Sequence, residues 1–366
     1  MEKYLSIRVH TALYISIFFV SIHHVFVLIT NSSTLRYIFG LKTSEVLLVY
    51  GLASLFGICV YMFLLKYSLI DNIKRNIYIA TVIEIICLGL MYYFTINQYV
   101  YIFIGLFILH HLMTPYIMFN LDTLFESYTH ISERGKGRGI YLTVWNIPFV
   151  VVPLMTSTLS VNSLPIVYFI SSILLLPFLY LIFYHIKNPE IISNTSTNLF
   201  EKLKIFFQDK LDRNAFIVQT LLHLYYGTTI ILLPIYLYSV FGFDWDRIGI
   251  ILAAMTAPFV LIQIPLGNME DKQHNEKGLF KIGLVITIFF TILFLLISPE
   301  TDKNISFLLF SLFLFLSHAG CSLIEISTEG MFYKHITARD HTALLMFRMG
   351  RILPYSLGIF ALFWII

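Results

Sequence analysis

Long apolar segments separated by short polar ones run through the whole 366-residue sequence. Eleven of them are about 20 residues long or longer, enough for a helix to cross the roughly 30 Å hydrocarbon core of a bilayer. Because lipid offers no partner for unsatisfied backbone groups, each is expected to be a helix. The pattern predicts an all-α polytopic membrane protein with about 11 transmembrane helices, which we number spans 1 to 11. They are expected at residues 10–31, 45–66, 75–96, 99–122, 139–160, 164–186, 214–240, 247–268, 278–298, 304–329 and 341–366.

The composition agrees with a chain that meets lipid over most of its outer surface. Hydrophobic residues make up 58% of the sequence and charged residues 12%, whereas soluble domains carry about 25% charged residues. The net charge of +3 arises in the polar segments, so nothing favours nucleic acid as a partner. Cys59, Cys87 and Cys321 lie inside apolar segments without a C-x-x-C spacing, which is typical of packed thiols.

The lysine and arginine residues predict which side of the membrane each polar segment occupies. With the N-terminus in the cytoplasm, the cytoplasmic segments hold 18 of these residues and the outer segments hold 4. Membrane proteins concentrate positive charge on the cytoplasmic side, so this orientation is the predicted one. The sequence thus predicts a multi-pass protein of the cell inner (plasma) membrane with a cytoplasmic N-terminus.

The longest polar stretch divides the spans into six and then five. Residues 188–213 read as a cytoplasmic linker that contains a short amphipathic helix, with the sequence LFEKLKIFFQDKLDR. We therefore expect an N-terminal six-helix half at 1–187 and a C-terminal half at 214–366. Because the sequence ends inside the apolar segment of span 11, a twelfth helix is expected to be missing.

Both halves carry a related passage at the end of their fourth span. Asp122 and Glu126 lie four residues apart in the first half, and Glu325 and Glu329 lie four residues apart in the second. That spacing places each pair on one face of a helix. A short basic loop and an apolar helix follow in both halves, and that helix contains a polar residue, Asn146 in the first half and Arg348 in the second. The pattern is typical of an internal repeat.

Two cytoplasmic turns carry a partial motif. The turn after span 8 reads IPLGNMEDKQHNEKG, in which Gly267, Asp271 and Lys272 match the pattern G-x-x-x-D-(R/K). The turn after span 2 reads KYSLIDNIKRN, in which Asp71 and Arg75 match but the glycine is replaced by tyrosine and the first basic residue by asparagine.

The chain resembles a bacterial-type member of the major facilitator superfamily. The resemblance lies in the six spans, the cytoplasmic linker, the second set of spans and these turns. The resemblance extends over essentially the whole chain and implies a two-half helical bundle. It also implies that the turn glycine lets two helices approach closely, and that the acids near the turns latch one conformation. The latch candidates are Asp71, Arg75, Asp122, Glu126, Gly267, Asp271, Lys272, Glu325 and Glu329.

Histidines at membrane depth lie only on spans 1, 4, 7 and 10, which in this superfamily line the central cavity. Ionisable groups avoid lipid, so this distribution favours a polar cavity. Histidine changes charge near neutral pH, and coupling of transport to protons is therefore a further hypothesis. The cavity candidates are His23, His24, His110, His111, Asn146, Gln219, His223, Tyr226, His318 and Arg348.

Glu84 is an acid near the middle of span 3, which is peripheral in this superfamily. The sequence favours a packing role for Glu84 against a neighbouring helix. The adjacent histidines at 23–24 and 110–111 could ligate a metal ion together with the Glu84 carboxylate. They lack carboxylates at a reinforcing spacing, however, so no metal site and no cofactor are predicted.

The resemblance implies a secondary transporter that moves a small solute by alternating access, with the lipid bilayer and the solute as partners. No Walker A sequence, G-x-x-x-x-G-K-(S/T), is present, so no P-loop of this chain hydrolyses ATP. The alternatives are a non-transporting receptor or scaffold on a transporter fold, and a membrane-embedded enzyme. The enzyme is disfavoured because the sequence contains neither H-E-x-x-H nor G-x-S-x-G. The solute, the direction of transport and the oligomeric state cannot be read from the pattern.

Overall fold

All regular structure in the described part of the chain is helical. The computed structural model describes residues 2–67, 72–129, 134–156, 163–188, 199–273, 276–336 and 341–363. The α-helices are α1 (Glu2–Ser33), α2 (Thr43–Tyr67), α3 (Ile73–Ile96), α4 (Val100–Tyr128), α5 (Arg134–Thr156), α6 (Leu164–His185), α7 (Leu199–Gln208), α8 (Lys210–Gly227), α9 (Leu233–Ser239), α10 (Trp245–Gln273), α11 (Glu276–Leu295), α12 (Lys303–His335) and α13 (His341–Phe363). The predicted all-α class is confirmed.

Ten helical segments within the described residues are long and apolar enough to cross a membrane. They correspond to predicted spans 1 to 10, and α13 lies where span 11 is expected. Span 7 is built from α8, a π-helical turn at Thr228–Leu232 and α9. Pro234 follows that turn, and proline lacks the N–H that would continue a regular helical ladder. The short helix α7 lies within the predicted linker.

The outward faces of several helices are apolar. On α11, the side chains of Val285, Ile288, Ile292 and Leu295 are all more than half exposed. On α3, Ile79, Ile83, Ile86 and Leu90 are exposed at the three- and four-residue spacing of one helical face. Such continuous apolar faces suit lipid rather than water, which agrees with a multi-pass membrane protein.

The contacts group the helices into two compact units. One comprises Met1–Tyr128, Ser160–Leu224 and Ile336–Ile366, and the other comprises Thr129–Leu159 and Tyr225–His335. In the first, α1 packs on α6, α3 packs on α4 and α6, and α13 packs on α2 and α4. In the second, α5 packs on α10 and α12, and α11 packs on α12. The first unit therefore includes α13 and most of α8 from the predicted C-terminal half, and the second includes α5 from the predicted N-terminal half.

Glycines bring α5 and α10 into backbone contact. A Cβ atom on Gly139 would lie 2.6 Å from the carbonyl oxygen of Gln263, and one on Gly267 would lie 3.3 Å from the Cα atom of Gly139. Only glycine fits at such distances, because the opposing atoms belong to backbone that cannot rotate away. The close approach expected at Gly267 from the turn motif is thus present, and its partner is α5.

Gly139→Ala is expected to lower the thermal unfolding midpoint of the protein in detergent. The added methyl group must push α5 away from α10, and overpacking of this kind costs about 1–3 kcal/mol. Gly89→Ala is the matched control, since a Cβ atom at Gly89 on α3 meets nothing within 4 Å. The control is expected to keep or raise the midpoint, because alanine favours a helix over glycine by about 0.5–1 kcal/mol. Equal midpoints for the two variants would contradict close packing at Gly139.

Candidate functional site

A buried carboxyl group on α3 faces histidines from two other helices. The Oε1 atom of Glu84 lies 2.5 Å from Nδ1 of His110 on α4 and 3.5 Å from Nε2 of His23 on α1. Glu84 is 0% exposed, and the two histidines are 1% and 2% exposed. The two imidazole rings meet edge to face, with centroids 5.8 Å apart. Three ionisable groups from three helices therefore form one cluster at membrane depth.

The sequence of α3 explains why Glu84 points inward. The exposed face of α3 is made mainly of large aliphatic side chains and tyrosines, whereas the buried face mixes large apolar residues with small and polar ones. The buried residues of that second face include Ala80, Thr81, Glu84, Cys87 and Thr95. The periodicity of small and polar residues was the signal that could have placed Glu84 in the interior. The sequence-based candidate set left Glu84 out because span 3 is peripheral in the superfamily that the chain resembles, which favoured a packing role.

Three other histidines share a different local arrangement. The Nδ1 atoms of His111, His223 and His318 each lie 3.0 Å from the backbone oxygen of the residue four positions earlier. A carbonyl oxygen only accepts hydrogen bonds, so Nδ1 carries the hydrogen and Nε2 of the neutral ring is left as an acceptor. His110 differs, because its Nδ1 atom is turned toward Glu84.

Aromatic rings surround His318 on α12. Its ring centroid lies 5.3 Å from that of Tyr225 and 6.2 Å from that of Tyr226, both on α8, and 6.1 Å from that of Phe259 on α10. The Tyr225 hydroxyl group lies 2.7 Å from the Ser317 hydroxyl oxygen. Of the predicted cavity residues, Tyr226 and His318 are thus brought together.

Arg348 and Asp122 form a buried ion pair. The Nε atom of Arg348 on α13 lies 2.6 Å from Oδ2 of Asp122 on α4, and the side chains are 5% and 3% exposed. Close by on α13, Nε and Nη2 of Arg351 lie 2.7 and 3.1 Å from the amide end of Gln219, and they donate to its oxygen when the amide is oriented with that oxygen toward Arg351. One predicted cavity residue, Arg348, is therefore bound to one predicted latch residue, Asp122.

A second buried ion pair joins α5 to α12. The Nε atom of Arg138 lies 3.7 Å from Oε2 of Glu329, and both side chains are 0% exposed. The guanidinium group of Arg138 also lies 3.6 Å from the ring centroid of Tyr333 and 4.7 Å from that of Tyr141, within range of cation–π attraction. Sequence reasoning counted Arg138 only as a loop charge, since its position near the start of α5 does not reveal what it faces.

The amide and carboxyl groups of α5, α10 and α12 form a chain. Asn146 donates from Nδ2 to Oε1 of Gln263 at 3.2 Å, and Gln263 donates from Nε2 to Oε2 of Glu325 at 2.9 Å. Gln263 is 0% exposed and Glu325 is 5% exposed. The predicted cavity residue Asn146 and the predicted latch residue Glu325 are thereby linked through one side chain.

The remaining predicted residues have varied positions. Glu126 is buried near the end of α4, and His24 is half-buried on α1. Arg75 begins α3, where its backbone N–H donates to the side chain of the cap residue Asn72. Asp71 and the side chains of Asp271 and Lys272 lie outside the described residues. The roles proposed for all these residues stay predictions.

Comparison with known proteins identifies the family. The family model described as Major Facilitator Superfamily matches residues 13–347. No curated protein sequence matched the chain.

The chain is also similar to solved transporter structures, each at low sequence identity. A bacterial homologue of the iron transporter ferroportin, in an outward-facing state, has a TM-score of 0.74 at 12% identity, covering 96% of this chain and 91% of that one. The proton:xylose symporter XylE has a TM-score of 0.71 at 11% identity, covering 99% and 89%. The E. coli fucose:proton symporter FucP has a TM-score of 0.67 at 11% identity, covering 96% and 90%. At such identities these structures show a shared fold, and because the family model spans most of the sequence, the chain belongs to the Major Facilitator Superfamily.

Proposed function

We propose that this protein is a secondary active transporter that moves a small solute across the plasma (inner) membrane by alternating access. Membership of the superfamily and the transporter fold support transport rather than enzymatic chemistry as the general activity. The similar structures are described as proton symporters of xylose and of fucose and as a homologue of an iron transporter. Since these solutes are chemically unlike, the likeness supports transport without naming the solute of this chain.

The two buried ion pairs carry the proposal of alternating access. Asp122–Arg348 and Arg138–Glu329 each join a helix of residues 1–187 to a helix of residues 214–366. All four charged groups lie at the ends of helices that the distribution of basic residues predicts to be cytoplasmic. Each pair would have to separate for the two predicted halves to part on that side, so the pairs can act as latches.

The energetics of buried ion pairs suit a latch. Formation of such a pair returns roughly what its desolvation costs, so the net stabilisation is small. When the pair opens to water, both charges are solvated again and neither is left uncompensated. Two states of similar free energy are what alternating access requires.

The contacts also follow the internal repeat expected from the sequence. The first acids of the two passages are Asp122 and Glu325, and the polar residues of the helices that follow are Asn146 and Arg348. Asp122 contacts Arg348 directly, and Glu325 reaches Asn146 through Gln263. The first acid of each passage thus meets the polar residue of the other passage, directly or through one side chain, which supports a pair of related halves.

We further propose that transport is coupled to protons and that His318 carries the proton. Its Nδ1–H donates to the backbone oxygen of Leu314, which leaves Nε2 to accept a proton. Among the described residues, the titratable side chains whose rings contact that of His318 are Tyr225 and Tyr226. An imidazole in water changes charge near neutral pH, so we propose that Nε2 takes up a proton in the state of the transport cycle that opens His318 to water.

Breaking the Asp122–Arg348 pair from one side is expected to destabilise the protein. Asp122→Asn leaves the guanidinium group of Arg348 buried without its counter-charge, which costs about 3–5 kcal/mol. The double variant Asp122→Asn with Arg348→Gln is expected to recover most of that loss, because no unpaired charge remains. Unfolding in detergent measures both effects. Additive losses in the double variant would contradict a coupled pair.

Release of the Arg138–Glu329 pair is expected to change the distance between the ends of α5 and α12. Spin labels are placed at the exposed residues Lys136 and His335, with Cys59 replaced by alanine. In double electron–electron resonance, Arg138→Gln is expected to add a longer distance between the two labels. The double variant Arg138→Glu with Glu329→Arg, which swaps the two charges, is expected to remove that longer distance.

The matched control for that measurement is Arg213→Gln, which removes an exposed arginine from α8. It is expected to leave the distance distribution unchanged. An unaltered single distance in Arg138→Gln would show that the pair is structural only and would argue against the latch.

The solute is to be found by thermal stability of the detergent-purified protein across a solute library at pH 5.5 and pH 7.5. A ligand at 100 times its dissociation constant adds about 2.7 kcal/mol to the folded state. A hit is then tested for uptake into proteoliposomes, where transport is expected to depend on pH in the native protein and to lose that dependence in His318→Gln. Binding without uptake would favour the receptor or scaffold over the transporter.

A further inference from the structure

We propose that His23, Glu84 and His110 form a binding site for a divalent transition-metal ion of the zinc type, inside the packing of α1, α3 and α4. The proposal rests on the geometry of these three side chains and is independent of the solute that the protein moves. The sequence alone predicted no metal site, because no carboxylate stands at a reinforcing spacing from the histidines. The structure brings the Glu84 carboxylate close to two of them, so the proposal reverses that expectation.

The spacing of the three groups fits a single ion. One ligand atom from each residue lies within 4.8 Å of the other two. Oε1 of Glu84 is 3.5 Å from Nε2 of His23 and 2.5 Å from Nδ1 of His110. Tetrahedral bonds of about 2.0–2.1 Å place neighbouring ligand atoms about 3.3 Å apart. A small change in side-chain torsion therefore suffices to open the cluster around an ion.

The chemistry of the donors selects the class of ion. Two imidazoles and one carboxylate are a common ligand set for zinc, and imidazole also suits copper, iron and nickel, whereas calcium and magnesium prefer oxygen ligands alone. Three protein ligands leave one tetrahedral position for water or another small ligand. The nearby Cys87 thiol lies 3.2 Å from the backbone oxygen of Leu106, to which it donates, so it is not counted among the ligands.

Several buried polar atoms of the cluster lack a hydrogen-bond partner. Among the described residues, this holds for both ring nitrogens of His23 and for Oε2 of Glu84. A proton shared between Glu84 and His110 accounts for their 2.5 Å contact, but it gives the ring nitrogens of His23 no hydrogen-bond partner. Unsatisfied buried groups are costly, particularly at membrane depth. A metal ion bound by all three residues satisfies the ligand atom of His23 as well.

The neighbouring residue His111 is set apart from the site by its own hydrogen bond. His111 follows His110 on α4, but its Nδ1 donates to the backbone oxygen of Phe107. The Thr114 hydroxyl group lies 3.3 Å from Nδ1 of His110 and can orient that ring. Since the three ligands are at most 2% exposed, an ion enters only when the helices move, and binding is expected to be slow.

The test measures metal binding by the full-length protein in detergent, after removal of any polyhistidine tag and treatment with a chelator. The protein is equilibrated for several hours with Zn²⁺ or Co²⁺, passed through a desalting column and analysed by mass spectrometry of its metal content. We expect one equivalent of either ion. Bound Co²⁺ is expected to show the intense visible bands of a tetrahedral site, which report the ligand geometry in the native protein without any substitution.

Substitutions locate the ion. His23→Gln, Glu84→Gln and His110→Gln are each expected to weaken binding at least about 10-fold, since even indirect supports of a metal site contribute that much. His318→Gln is the matched control, because His318 is equally buried but lies in the other compact unit, with its Nδ1 bonded to backbone. Zn²⁺ is expected to raise the unfolding midpoint of the native protein and the control only.

Two results would overturn the proposal. One is a native protein that retains far less than one equivalent of both ions. The other is bound Co²⁺ with the weak bands of an octahedral site, unchanged by Glu84→Gln. Either result would identify the cluster as a proton-sharing contact. Neither would affect the transport proposal, since the solute screen and the spin-label distances do not depend on a metal.

Discussion

Inside a bilayer, a polar side chain has no water to bind, so it must find a partner on another helix or leave its hydrogen bonds unmade. The arrangement of this protein follows from that constraint. Glu84 is bound between α1 and α4, and the Arg348 guanidinium group is bound to α4. Arg138 is enclosed by a carboxylate and aromatic rings. Each polar contact holds two or more helices together, and most of these helices are not neighbours in the sequence. The apolar faces are left to the lipid.

Two of these contacts lie on helices that pack away from their sequence neighbours. The helix α5 packs on α10 and α12, and α13 packs on α2 and α4. The glycine contact between Gly139 and the backbone of Gln263 lets α5 and α10 touch, and the Arg138–Glu329 pair lies on α5 and α12. Close packing without side chains and a charge pair with small net stabilisation are both compatible with helices that separate and return.

The histidines divide into two kinds that a residue count cannot distinguish. His111, His223 and His318 each give one ring hydrogen to their own helix, which leaves a single nitrogen for other partners. His23 and His110 instead turn toward Glu84. A ring bonded to its own helix can exchange a proton at its second nitrogen, whereas rings that converge on a carboxylate can share an ion. This difference separates the position proposed for proton coupling from the position proposed for a metal.

The sequence by itself determined the all-helical membrane architecture and the family. Hydrophobic length, the near absence of charge within the spans and the turn around Gly267 depend on local composition, which is visible without coordinates. It also placed acids at the ends of α4 and α12. Only the tertiary structure decided which acid pairs with which arginine, that Glu84 faces two histidines and that Arg138 is buried. A helix presents a new face every 100°, and the partner on each face comes from distant parts of the chain, so contacts of this kind are fixed by packing rather than by neighbouring residues.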